Sequence, residues 1–124
     1  MNDKLDSMFD MRERFMTKIS QKFPNAYPVW PIDLKDKEQQ QHVRDMALRG
    51  VEEMFEALQH LKNWKPHRVT EIPDFDKSEF LEEIVDAFNY FLSVLVLTGT
   101  SANDLYDAYT KKDEKIHERL KKNY

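Results

Sequence analysis

Residues 80–99 read Phe80-Leu-Glu-Glu-Ile-Val-Asp-Ala-Phe-Asn-Tyr-Phe-Leu-Ser-Val-Leu-Val-Leu-Thr-Gly99, the most apolar run in the chain. Its first half nevertheless holds Glu82, Glu83 and Asp86. Phe80, Ile84, Phe88, Phe91 and Leu95 recur at helical spacing and form one apolar seam. A second seam begins at Glu83 and continues through Ala87, Tyr90, Val94 and Leu97, so a carboxylate heads a row that continues as core. Burying a carboxylate is costly unless something pairs with it or ligates it. The stretch therefore predicts a buried helix whose acids bind something.

Outward from this helix, all five prolines (Pro24, Pro28, Pro31, Pro66 and Pro73) fall in two clusters, and the segments between keep a helical period. The expectation is a single all-α domain over residues 1–124, with four helices and two long connections. The first helix spans about residues 3–21, with Leu5, Met8, Phe9, Phe15, Met16 and Ile19 at helical spacing. The second spans about 35–62, with Val43, Met46, Val51, Met54, Phe55, Leu58 and Leu61 on one face. Asp76 with Glu79 has capping-box spacing and opens the third helix, which Gly99 closes as a C′ glycine. Ser101 with Asp104 opens the fourth in a similar way, and it runs to near residue 124.

Composition narrows the function classes. The 124 residues include no cysteine, which removes disulfides and thiolate metal sites. The net charge of −4 argues against unaided binding to a long nucleic acid but leaves room for a small phosphate ligand carried by a metal. The start Met1-Asn2-Asp3-Lys4 lacks signal-peptide layout, and the apolar run is too interrupted by acids to span a membrane. A cytoplasmic protein is expected.

Acids three residues apart share one helix face, so Glu53 converges with Glu56 and Glu83 with Asp86. On a highly charged chain such a pair is by default a solvated face. Here Gly50, Glu53, Ala57 and His60 form a row whose small members admit a close neighbour, and Glu83 heads a core seam. Two such pairs on facing helices make a nest of four carboxylates that needs a cation, and hard oxygen donors suit Mg²⁺ or Mn²⁺. On the fourth helix Leu105, Tyr109, Lys112, Ile116 and Arg119 place two cations in one seam. Snorkelling explains one such cation, and phosphate recognition better motivates two. Glu114 with His117 is a single ExxH, too little for a di-iron bundle, and His42, His60 and His67 lack zinc spacing. No Gly-rich phosphate loop or nucleophile elbow is present.

Taken together, the motif Glu53-Met-Phe-Glu56, then 26 residues, then Glu83-Ile-Val-Asp86 resembles the ExxE and ExxD pattern of the all-α nucleoside triphosphate pyrophosphohydrolases, the superfamily of MazG proteins and dimeric dUTPases. Lys62-Asn-Trp64-Lys65 is similar to the KxWK element of dimeric dUTPases and phage dCTPases. Residues Ala108 to Tyr124 resemble their closing lysine- and arginine-bearing pattern, and Met8-Phe9-Asp10-Met11 is fainter kin to their first helix. The resemblance implies a four-to-five-helix bundle completed by a homodimer or homotetramer. It implies that Glu53, Glu56, Glu83 and Asp86 hold magnesium, with Glu53 the candidate to orient a water that attacks the α-phosphorus. Lys65, Lys112, Arg119 and Tyr124 fall at substrate-binding positions, and Trp64, Trp30, Asn89 and Tyr90 are candidates to contact or stack on the base, against plain packing. Departures occur at Asp113, Ile116, Leu120 and Asn123 in the closing pattern. Arg12 stands where dUTPases carry a pyrimidine-reading Gln, and Asn89 where they carry a His. They leave the base open between dUTP or dCTP and a broader choice. The rival expectation is a helical interaction module that keeps the fold without turnover.

Overall fold

The computed structural model describes residues 3–62, 64–68 and 75–122. It contains the four expected helices, α1 (Lys4–Lys22), α2 (Lys37–Leu58), α3 (Lys77–Leu97) and α4 (Ala102–Lys121), and no strand among the described residues. The chain is all-α. No helix in these residues is long and apolar enough to cross a membrane.

Short-range chemistry sets the helix ends. The Asp3 carboxylate accepts the Asp6 N–H at 2.9 Å and starts α1, and Asp36 accepts from Glu38 and Gln39 and starts α2. Asp76 accepts the Glu79 N–H at 3.1 Å, as the capping-box spacing predicts. Ser101 and Asp104 form the reciprocal box, each side chain taking the other's backbone N–H at 3.0 Å. At the end of α3, Gly99 adopts φ +72°, its N–H donates to Val96 O at 3.1 Å and the Thr100 N–H donates to Leu95 O at 2.9 Å. This is a Schellman motif, and the left-handed residue it needs is the expected glycine. The second helix departs from expectation: α2 ends at Leu58, not near 62, because the N–H groups of Gln59, His60 and Leu61 turn back three residues to Glu56, Ala57 and Leu58.

The chain divides into two compact units, one of residues 1–32 and 95–124 and one of residues 33–94. In the first, α1 packs against α4 around Phe9, Met16, Ile32, Val96, Leu97 and Ala102, and the Ile32 N–H donates to Leu97 O at 2.9 Å. The second is built on α2 and residues 77–94 of α3. Neighbours across it are Gly50 with Phe91, Glu53 with Glu83, and His60 with Phe80, so the residue order on the two helices is opposed and they are antiparallel.

Burial within this hairpin bears out part of the sequence expectation and corrects the rest: Met46 of the expected α2 face is buried and Phe91 of the expected α3 seam meets Gly50. On α2 the buried residues are Met46, Gly50 and Ala57, whereas Val51, Phe55, Leu58 and Leu61 are exposed. On α3 Ala87 is fully buried while Phe88, in the seam expected to be dominant, is half exposed. The physical reason is close approach. A Cβ on Gly50 would lie 3.0 Å from the Phe91 ring and 3.2 Å from Tyr90 Cβ, so the glycine admits these two aromatic residues at close range, while Val51, Phe55, Leu58 and Phe88 lie off this contact.

Candidate metal centre

The row that brings the two helices together also carries the acids. Glu53 lies one turn beyond Gly50 on α2, and Glu83 one turn before Ala87 on α3. Each of Glu53, Glu56 and Glu83 offers a carboxylate oxygen within 4.8 Å of the others, with Glu53 and Glu83 half-buried and Glu56 exposed. Asp86 is exposed and stands outside this tight trio, yet its charge reaches Glu53. The Glu53 pKa is raised above the ordinary glutamate value, first by partial desolvation, then by the charge and hydrogen bond of Glu56, then by the charges of Asp86 and Glu83. Three of the four sequence-predicted acids are therefore brought together, with Asp86 exposed one turn beyond Glu83 on α3.

The donor set fits a hard divalent cation. It is all oxygen, anionic and converging from two rigid helices, and among the described residues no histidine joins it. A cation there would relieve the like-charge repulsion that contributes to raising Glu53. The acids' side of the hairpin is distinct from its apolar side. At about 100° per residue, the acids of each helix lie on one flank of the contact row and the large exposed apolar residues about 120° to the other flank.

The other expected site residues are placed less closely. Asn89 and Tyr90 are half-buried on α3, and Tyr90 packs against Gly50, which is the packing role. Trp64 is exposed, with the Lys65 ammonium 5.4 Å from its ring centroid. Lys112 and Arg119 belong to the first unit and are exposed. The expectation that they occupy a core seam is corrected: beyond Leu105 that row of α4 faces solvent, Tyr109 included, because spacing defines a stripe without supplying a neighbour. Tyr124 lies outside the described residues. Arg12 stacks its guanidinium 4.8 Å from the Phe15 ring centroid, and Asp113 engages His117, whose Nδ1 is 2.8 Å from the Asp113 carbonyl oxygen.

Sequence reasoning missed a cavity in the first unit. It has a volume of about 380 Å³ and is walled by Asp6, Asp10 and Glu13 of α1, by Trp30 and by the start of α4. The Trp30 indole N–H donates to Glu13 Oε2 at 3.0 Å. The four- and three-residue steps from Asp6 to Asp10 to Glu13 were the available signal, an acidic stripe on α1. Comparison with known proteins finds no matching family model, no matching curated protein and no matching solved structure.

Proposed function

We propose that the protein is a divalent-metal-dependent nucleoside triphosphate pyrophosphohydrolase of the MazG and dimeric dUTPase kind, releasing a nucleoside monophosphate and pyrophosphate. The observation that carries this reading is the convergence of Glu53, Glu56 and Glu83 within 4.8 Å, from motifs whose order and spacing resemble that superfamily. Glu53, Glu56, Glu83 and Asp86 would hold Mg²⁺ or Mn²⁺, which supplies charge neutralisation at the phosphates and a lowered pKa for a bound water. Glu53, the acid that meets Glu56 and Glu83 and feels the charge of Asp86, is the candidate to orient that water. Water oxygen bonds to the α-phosphorus and the bond to the β-phosphate oxygen breaks. The resemblance assigns Lys112 and Arg119 to the phosphates.

The test is a panel of canonical nucleoside and deoxynucleoside triphosphates with and without Mg²⁺, scored for pyrophosphate against orthophosphate. Metal-dependent pyrophosphate release from at least one triphosphate, lost in Glu56→Gln and Glu83→Gln, is the expected result. Clean, folded protein that cleaves none of them with metal present overturns the reading in favour of a non-catalytic helical interaction module.

A further inference from the structure

The cavity of the first unit plays no part in the proposed hydrolysis, yet its lining is of two chemically distinct kinds. Phe9 and Val96, each only 7% exposed, give it an apolar lining, beside the Trp30 indole. Two contacts fix that ring: its N–H donates to Glu13 Oε2 at 3.0 Å, and Tyr27 meets it edge-on with the ring centroids 6.3 Å apart. Asp6, Asp10 and Glu13 bring three carboxylates to the same cavity from α1, and among the described residues no lysine or arginine lines it. Asp6 is half-buried and the other two are exposed, so a ligand reaches them from solvent. Steps of four and three residues keep the three acids within about 60° on one face of α1, at intervals of about 6 and 4.5 Å along its axis.

We infer that this cavity binds a small linear organic polycation, an aliphatic diamine or polyamine. Its volume of about 380 Å³ is that of a small-molecule pocket. Three acids without a basic neighbour turn away phosphates and other anions, the nucleotide substrate of the proposed reaction included. A single metal ion is a poor fit, because the acids are strung out along the helix: the residues that bring carboxylate oxygens within 4.8 Å of one another are Glu53, Glu56 and Glu83, and these three are not among them. Ammonium groups joined by three or four methylenes repeat on the same scale as the carboxylates, so each ammonium meets an acid. The methylenes between them then lie against Phe9, Val96 and Trp30, and the indole face itself attracts a cation. A hydrated inorganic ion uses none of that apolar lining. The inference does not depend on the metal site, since no acid of the α2/α3 hairpin lines the cavity.

The test titrates the full chain, in chelator and low salt, with spermidine, 1,4-diaminobutane and butylamine by calorimetry. Affinity is expected to rise in the order butylamine, 1,4-diaminobutane, spermidine, each added ammonium tightening it at least about fivefold. Asp10→Asn combined with Glu13→Gln, both close in shape to the originals, weakens spermidine at least about 20-fold, while Glu56→Gln combined with Glu83→Gln, which discharges the hairpin acids, leaves it within about twofold. Should the cavity variant fail to fold by circular dichroism, Trp64→Phe decides, because it leaves Trp30 as the one tryptophan. Spermidine then changes the Trp30 emission saturably and Mg²⁺ does not. No spermidine binding at about 1 mM, butylamine binding as tightly as spermidine, affinity unchanged in the cavity variant or lost equally in the hairpin variant, or a Trp30 emission that spermidine leaves unmoved overturns the inference.

Discussion

Replacing Gly50 by alanine sets two effects of known size against each other. Removing a mid-helix glycine stabilises a helix by about 1 kcal/mol, because glycine loses the most backbone freedom on folding. The new methyl, however, would sit 3.0 Å from Phe91 Cε1 and Cζ and 3.2 Å from Tyr90 Cβ, against an ordinary carbon contact of roughly 3.5–4.0 Å. The Phe91 ring is the far end of a side chain and can swing. Tyr90 Cβ is fixed to the α3 backbone and cannot, so relief there means moving α3 away from α2 by a few tenths of an ångström. Overpacking of this kind costs about 1–3 kcal/mol. The net expectation is a loss of about 1 kcal/mol and a Tm lower by roughly 2–6 °C in metal-free buffer, followed by circular dichroism. The same displacement spreads donors now within 4.8 Å of each other and uses up the roughly 0.5 Å positional tolerance of a ligand set, so Mn²⁺ affinity measured by calorimetry should fall with it. Adding Phe91→Leu removes the two closest atoms and should recover part of the stability but little of the affinity. A Gly50→Ala protein that melts higher than wild type, with unchanged Mn²⁺ affinity, refutes the close-approach account.

Two further predictions are simpler. Gly99→Ala asks an L-residue to hold φ +72° with its Cβ 3.1 Å from Pro31 Cβ, and it should cost about 1–2 kcal/mol by denaturant titration; a change under about 0.3 kcal/mol would mean the Schellman turn is not held as drawn. Glu53 has its pKa raised in the folded state, so without metal its contribution falls as pH rises from about 4.5 through that higher value, while Asp104, lowered by the Ser101 N–H and hydroxyl, contributes above about 3.8 and is lost as pH drops below it. Glu53→Gln should therefore match wild type near pH 4 and equal or exceed its Tm at pH 7 in chelator, yet gain nothing from Mg²⁺; a Glu53→Gln protein markedly less stable at pH 7 would mark a structural ion pair.

What was legible in the sequence was mostly local. Asp76, the Ser101–Asp104 pair and Gly99 act within four residues of themselves, and the helix ends they specify are where expected. The end of α2 was not legible, because residues 59–61 have helical composition and stop only by tightening into three-residue turns. Lys112 and Arg119 show the general limit. A periodic stripe says which residues share a face, but whether that face is buried depends on an element far away in sequence, and here the face is in solvent.

The acids were legible for the same reason that the apolar face was misread. Ranking faces by hydrophobicity selects Phe88 on α3 and Phe55 on α2, and both are exposed. The contact includes Gly50, whose missing side chain admits Phe91 and Tyr90 at close range, and Ala57 and Ala87 are fully buried near it. Beside that contact, carboxylate oxygens of Glu53 and Glu56 on α2 and Glu83 on α3 lie within 4.8 Å of one another. Small residues thus stand beside acids on both helices, Gly50 and Ala57 with Glu53 on α2 and Ala87 with Glu83 on α3, and the exposed apolar side chains Val51, Phe55, Val85 and Phe88 lie on the other flank of the same contact row.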